Sequence, residues 1–402
     1  MPIPGPDSRY DAVIAGARVA GAATALLLAR TGLRVLVVDP VERGRDTLST
    51  HALMRGGVMQ LSRWGLLDAV RDAGTPRISH TTFHYEDESI AVPIDPDGDV
   101  DGLYAPRRTV LDPILIDAAI DAGADVHFGW ALTDIRRTPN GHTTGVTVQS
   151  THGSQREVRA DVVIGADGVN SKVARILGAS PTYRVPHATA SIYGYWKDID
   201  LSGYHWYFGR GGAAGVIPTN HGESCVFVSM SPSRLRADRG RGLETVLLEV
   251  VRTISPDLFL QLMESGSTPK LRGFAGSPSL LREAAGPGWA LVGDAGYFKD
   301  PLTAHGITDA LVGAELLARA IVDGCGGSRT LDDALVDYQT RRDSVAKGLL
   351  DVTSRIASLD WTVDEVRSLH RTLSREMKGE VETIRSWDST PIAPRAAHRS
   401  AA

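Results

Sequence analysis

The chain has 402 residues, enough for two or three compact domains, and its 43 Lys+Arg against 48 Asp+Glu leave a formal net charge of -5 without a long single-sign block, which argues against nucleic acid as a partner. No apolar run approaches the roughly 20 residues that span a bilayer, and the start MPIPGPDSRY reads as a short floppy leader with neither a basic nor an apolar signal segment, so a cytoplasmic protein without membrane contact is expected. The two cysteines, Cys225 and Cys325, stand outside any metal or redox spacing, which predicts reduced buried thiols and no bound metal.

In chain order, the first signal is Tyr10 to Ala15, a β-branched and apolar run that ends at Gly16 and predicts a buried parallel strand entering a tight turn. The next segment, GARVAGAATALLLARTG, repeats alanine and leucine at helical spacing until Gly32; a second strand, Arg34 to Val38, ends at Asp39. Strand, glycine turn, helix, strand, acid is the order of a dinucleotide-binding unit. The helix N-terminus receives the pyrophosphate, and the acid, about 20 residues past the glycines, reaches the ribose hydroxyls. Gly16 and Gly21 hold the first and third glycine places, with Ala20 beside the latter, whereas Arg18 stands in the second. A side chain there hinders close approach of the backbone to a phosphate, but a guanidinium can itself neutralise and hydrogen-bond the pyrophosphate.

Arg43 and Arg55 follow this strand pair and suit phosphate or ribose contacts; His51, in LSTHALMRGG, is a candidate pocket group or a packing residue. Ala160 to Ala166 predicts another buried strand, which runs into Asp167, Gly168 and a helix bearing Arg175. From about His187 to Met230 the runs SIYGYW, YHWYF, GVIP and SCVFVSM predict an antiparallel sheet. Alternation allows only one parity set of Tyr193, Tyr195, Trp196, Trp206, Tyr207 and Phe208 to line a pocket. Gly209, Gly211 and Ala214 spell a second GxGxxA, but a proline and turn signals follow in place of a helix, so a β-hairpin is expected there. Trp289 to Val292 is again a strand; it delivers Gly293, Asp294, the pair Asp300-Pro301 and then Gly306, with a long helix beginning near Ile307. Asp167 and Asp294 are also the residue type that caps helix N-termini. After Gly324 the pattern is helical, with TVDEVRSLHRTL opened by a threonine cap, and the tail STPIAPRAAHRSAA is expected to be disordered.

The glycine turn, the Asp167-Gly168 pair and the Gly293-Asp294 to Gly306 segment, in this order over roughly Tyr10 to Trp361, resemble the class A flavoprotein monooxygenases, the p-hydroxybenzoate hydroxylase family, in their shorter bacterial form without a thioredoxin-like domain. The resemblance implies an α/β fold: a Rossmann-like FAD-binding domain of the GR2 type (1–78, 101–182 and 275–325), an inserted antiparallel β-sheet substrate domain (79–100 and 183–274) roofing the flavin, and C-terminal helices (326–402) that pack on the flavin domain or form a dimer face. It implies FAD as cofactor, NAD(P)H as co-substrate without a second Rossmann domain, and O2. The substrate would be a small, aromatic or polyketide-like molecule hydroxylated through a C4a-hydroperoxyflavin, in a monomer or homodimer. Asp167 and Gly168 would contact flavin and nicotinamide, Asp294 the ribitol, and Arg108, followed by Leu111 and Leu115, the phosphates. Gly293 and the turn from Pro301 to Gly306 and Ile307 would lie along the flavin.

One turn departs from the family: Thr303, Ala304 and His305 stand where glycines with a glutamine or asparagine are usual. His305 thereby joins His51 as a candidate catalytic group, with Tyr297 and Lys299 as further pocket candidates. Three other readings share the fold. They are a flavin-dependent reductase of carbon–carbon double bonds in the geranylgeranyl reductase manner, a halogenase, whose WxWxIP signature is not supplied by Tyr195, Trp196 and Lys197, and a degenerate flavin-fold binding module, with Arg18 the mark of lost FAD.

Overall fold

In the computed structural model, which describes residues 8–86, 88–266, 270–327, 329–389 and 392, the β-branched runs assemble into an eight-stranded sheet. Its parallel heart places Trp289–Leu291, Gln155–Gly165, Arg9–Ala15, Val35–Asp39 and Asp125–Phe128 side by side. Register sets Ala15 level with Val38 and Gly165, and Leu291 level with Gly165. The chain therefore leaves four strands at one carboxyl edge, through Gly16, Asp39, Ala166 and Val292, the edge at which open parallel sheets bind ligands. The hairpin Trp130–Arg137 and Thr143–Ser150 continues the sheet antiparallel from the first half of Gln155–Gly165. Residues 1–7 of the expected leader, and the tail from 390 apart from Ile392, lie outside the described residues.

The helix Val19–Arg30 is alanine- and leucine-rich and buried nearly all round. A helix with no polar face needs cover on every side, and this one packs on the helices Arg108–Asp121 and Gly306–Cys325. Two glycines let the first turn close. Gly16 has φ +109°, and a Cβ on it would lie 2.4 Å from the Ala166 carbonyl oxygen; a Cβ on Gly21 would lie 1.8 Å from the Gly16 carbonyl oxygen. Strand, turn and helix touch backbone to backbone there, and no side chain larger than hydrogen fits.

The second sheet orders Arg272–Phe274, Ala190–Lys197, Glu223–Met230, Gly212–Pro218, Tyr204–Gly209, His80–Tyr85 and Glu88–Pro93. It differs from the expected antiparallel sheet at one joint, where Tyr204–Gly209 runs parallel to His80–Tyr85. These two strands come from distant parts of the chain, so no hairpin forces opposite directions. The second GxGxxA is a hairpin: Gly209 pairs with Gly212 across a turn in which Gly211 has φ +68°. Alternation divides the aromatic residues as pleating requires. Tyr193, Tyr195, Trp206, Phe208 and Phe227 join the core shared with the nucleotide-fold helices, while Trp196 and Tyr207 pack toward the helices Leu243–Ile254 and Pro256–Glu264.

Two long helices close the chain. Leu331–Ala357 and Val363–Ser386 pack on each other, the first also on Gly306–Cys325 and the second on Arg55–Arg63. Thr362 and Glu365 form the expected cap as a full capping box, the Thr362 amide donating to Glu365 Oε2 at 2.7 Å and the Glu365 amide to Thr362 Oγ1 at 3.3 Å. The helix Arg55–Arg63 is bound to Gly306–Cys325 through the buried Glu315, which accepts from Gln60, Arg63 and Trp64. A buried carboxylate so supplied with donors is stabilising only as a set.

Gly21→Ala is expected to cost roughly 3 kcal/mol, the upper range for forced overpacking. Gly32→Ala, where φ is +83° and nothing lies within 4 Å of the added carbon, is expected to cost about 1 kcal/mol, the left-handed backbone penalty alone. Urea denaturation of both variants checks the order.

Candidate functional site

At the carboxyl edge, Asp39 Oδ2 accepts from the Ala17 amide and Oδ1 from the Val41 amide, both at 2.8 Å. Each oxygen keeps a lone pair for a hydroxyl donor. Arg18 is the N-cap residue of Val19–Arg30; its half-buried guanidinium has no hydrogen bond or ion pair among the described residues. Burial first, and then repulsion from Arg108, lowers its proton affinity. Arg108 itself starts the helix Arg108–Asp121 and grips Asp112 at 2.7 and 3.0 Å, with Leu111 and Leu115 buried behind it. Two guanidiniums close enough to repel, one of them unpaired, is the arrangement that an anion stabilises.

The Gly293 loop meets this turn directly. Gly293 has φ +59°, and a Cβ on it would lie 2.7 Å from Ala20 Cβ. Asp294 follows; its carboxylate has no protein hydrogen-bond donor among the described residues and stays open to solvent although protein atoms crowd around it. That crowding, reinforced by Asp309 and opposed by Arg108, pushes the carboxyl up to about 6. Next come Asp300, Pro301 and the turn to Gly306. Ala304 is left-handed at φ +47°, His305 is the N-cap residue, and a Cβ on Gly306 would meet nothing within 4 Å. The 20-residue helix Gly306–Cys325 thus opens its N-terminus on free space with Ile307 buried at its first turn, a placement that favours negative charge.

His305 does not stand alone. Its Nε2 faces both carboxylate oxygens of Glu380 at 3.1 Å and Asp309 Oδ1 at 3.8 Å, while Nδ1 is buried without a partner. The cation among these acids is the ammonium of Lys299, 3.1 Å from Asp309 and 5.6 Å from the Tyr297 ring centroid. Tyr297 is buried, its hydroxyl at the limit of contact with the Ala346 carbonyl at 3.5 Å.

A second cluster surrounds His51, a non-glycine residue at φ +68°. Its Nε2 is hydrogen-bonded to the Tyr195 hydroxyl, and Nδ1 is buried without a partner. Burial, then the charges of Arg107, Arg108 and Arg272, hold the imidazole well below its usual range and so neutral. Arg107 lies 3.5 Å over the Tyr195 ring and is tied to Glu223 at 2.6 Å and Asp46 at 3.4 Å. A left-handed backbone held in a buried polar cluster is a common mark of functional sites.

Other expected contacts are engaged locally. Asp167 accepts from the Ser171 hydroxyl and from the amides of Lys172 and Val173, so it caps the helix Lys172–Leu177, the alternative that the residue type left open. Gly168, at φ +80°, turns the chain beside it in open space. Arg43 pairs with Asp117 at the surface, and Arg55 donates to the Asp95 carbonyl at 2.6 Å. Arg107, Asp309 and Glu380 were not singled out from the sequence. Glu380 carried a usable signal, since it stands at helical spacing on the apolar stripe Val366, Leu369, Leu373 and Ile384.

The unmatched groups fit FAD. An unpaired guanidinium at the glycine turn suits the phosphates, Asp39 and Asp294 suit the ribose and ribitol hydroxyls, and the open helix N-terminus suits a ring with polar edges. Arg18→Ala is expected to weaken FAD binding about 10- to 100-fold, the worth of a hydrogen bond to a charged group, and to make it less sensitive to salt. Fluorescence titration at two ionic strengths checks this.

Comparison with known proteins agrees. The FAD binding domain family model matches residues 9–353. Digeranylgeranylglycerophospholipid reductase from Methanothrix thermoacetophila is 27% identical over 345 residues, 84% of each chain. PqsL, a probable FAD-dependent monooxygenase from Pseudomonas aeruginosa, superposes with a TM-score of 0.76 at 20% identity, over 92% of this chain and all of its own. The myxobacterial chondrochloren halogenase CndH gives 0.76 at 21% identity, over 93% of this chain and 90% of its own. With glycine turn, acids and helix N-terminus meeting at one edge and a family match over most of its length, the chain belongs to the FAD-binding-domain family of the class A flavoprotein monooxygenases and is an FAD-dependent oxidoreductase.

Proposed function

We propose that the protein is an FAD-dependent monooxygenase that uses NAD(P)H and O2 to hydroxylate a small aromatic or polyketide-like substrate. The observation that carries this reading is the roof. One parity of the second sheet turns Tyr193, Tyr195, Trp206 and Phe208 toward the FAD-binding fold, and His51 with Arg107 supplies a polar centre beneath Tyr195. Aromatic faces with few polar groups suit a flat ring and keep water out.

Bound FAD supplies the electron transfer and the reaction with O2; the chain positions, screens and moves protons. Arg18 and Arg108 hold the phosphates, Asp294 the ribitol. Where the Tyr195 phenol donates to His51 Nε2, the neutral ring carries its proton at Nδ1, a buried N–H with no protein acceptor. The phenol, which burial holds protonated, thereby fixes the tautomer and orientation of the ring beneath the roof.

Reduction of an isoprenoid double bond is the second reading, supported by the sequence likeness to the digeranylgeranylglycerophospholipid reductases, 27% over most of both chains. Product mass separates the two. Incubation of the holoenzyme with NAD(P)H and a panel of phenols, polyketides and polyprenyl compounds is expected to give gain of one oxygen atom with O2 consumed. Gain of two hydrogens without O2 uptake would establish the reductase instead. Tyr195→Phe is expected to slow turnover of the responding substrate about 100-fold while leaving the flavin absorbance unchanged.

A further inference from the structure

His370 stands on the C-terminal helix Val363–Ser386 with its ring centroid 4.3 Å from that of Phe208, 5.3 Å from Phe83 and 5.7 Å from Tyr85, all on the roof. Trp361 meets Phe208 edge-on at 6.1 Å. The Tyr85 hydroxyl lies 2.7 Å from His370 Nδ1. Burial keeps both groups neutral, pushing the phenol up to about 12 against the charges of Arg367 and Arg371, and the imidazole down to about 4. A phenol is the stronger donor and a bare imidazole nitrogen the stronger acceptor, so the O–H donates to Nδ1 and the ring proton is fixed on Nε2. That N–H has no partner among the described residues, and unlike Nδ1 of His51 or His305 it is not sealed. Protein crowds the ring, yet part of its surface stays open, so it lines a narrow hollow. Other inward-facing residues share this state: Phe83 and Tyr195 on the roof and Met54 ahead of Arg55–Arg63 pack on the core but remain partly open. Along the C-terminal helix the face of His370 continues through Leu373 and Met377 to Glu380, which meets His305 at the Gly306 turn. At about 1.5 Å per residue, position 370 stands about 15 Å along the axis from position 380.

We propose that this hollow is a substrate subsite, in which His370 Nε2–H donates to an oxygen at the far end of a planar fused-ring substrate whose other end lies toward the Gly306 turn. This rests on the reading of the roof as the cover of an aromatic substrate. The faces of Phe83 and Phe208 favour a flat ring, and a lone N–H in an apolar wall selects the molecule whose oxygen satisfies it over one of the same shape that lacks it. A single phenol ring is too short to reach both ends. The subsite thus narrows the substrate to fused aromatics that carry an oxygen remote from the reacting carbon.

Calorimetric titration of the FAD-loaded protein with 2-naphthol and 2-methylnaphthalene tests it. The two probes share a shape, and only the hydroxyl accepts a hydrogen bond. Wild-type protein is expected to bind 2-naphthol about 10-fold more tightly, the effect of one such bond, with a shift in the flavin absorbance as the probe reaches the cofactor. His370→Phe is expected to erase the difference by weakening 2-naphthol alone, and His370→Gln, whose amide N–H stands in for the ring N–H, to keep most of it. Equal affinities in the wild type, binding of neither probe, a difference that survives His370→Phe, or binding that leaves the flavin spectrum unmoved overturns the proposal. The flavin content of each sample tests the FAD reading separately: wild-type protein that holds no flavin refutes that reading, whereas full occupancy with equal affinities refutes only the subsite. Product mass, which decides between oxygenation and reduction, plays no part in these titrations. Should His370→Phe fail to fold, as circular dichroism would show, His370→Leu carries the same test with the same expected loss.

Discussion

Everything at the carboxyl edge depends on backbone contact at the first turn. A Cβ on Gly21 would sit 1.8 Å from the Gly16 carbonyl oxygen, one on Gly16 2.4 Å from the Ala166 carbonyl oxygen, and one on Gly293 2.7 Å from Ala20. Absent side chains let three strand ends and two helices crowd together. Only then do Asp39, Arg18, Asp294 and the start of Gly306–Cys325 gather at one edge of the sheet. The price is a set of polar groups that the protein leaves without partners, and it is these that match phosphates, hydroxyls and a polar ring edge.

Electrostatics follows from this geometry. Arg18 and Arg108 stand near each other, with Asp112 gripped by Arg108 alone, while Asp294, crowded and facing Asp309, has its carboxyl pushed up to about 6. Each is a local cost that an anion or a hydroxyl-bearing ligand relieves, so a bound cofactor stabilises the fold by mass action. On the far side of the flavin turn the same logic runs through side chains from separate elements, Lys299, Asp309, His305 and Glu380.

The nucleotide-binding unit was legible in the sequence because its rules are local: β-branched runs, glycines at fixed offsets and an acid at the end of Val35–Asp39 lie within thirty-odd residues. The hairpin at Gly209 and the cap at Thr362 were legible for the same reason. Pairings across the fold were not. The parallel joint of Tyr204–Gly209 on His80–Tyr85, the parity of the aromatic roof, and the meeting of His305 with Glu380, 75 residues later, are set by tertiary packing. Asp167 shows the limit within a motif. The same residue type serves a cap or a cofactor, and only the structure shows Asp167 Oδ2 accepting from the amides of both Lys172 and Val173.

The central claim is that one elongated ligand spans the edge from the Gly16 turn to the Gly306 helix. Calorimetric titration of the apoprotein with FAD, ADP and riboflavin measures this directly. The account predicts that FAD binds far more tightly than either half, and that ADP and riboflavin bind together without competing while each competes with FAD. FAD binding no tighter than ADP, or mutual exclusion of the two halves, would contradict it.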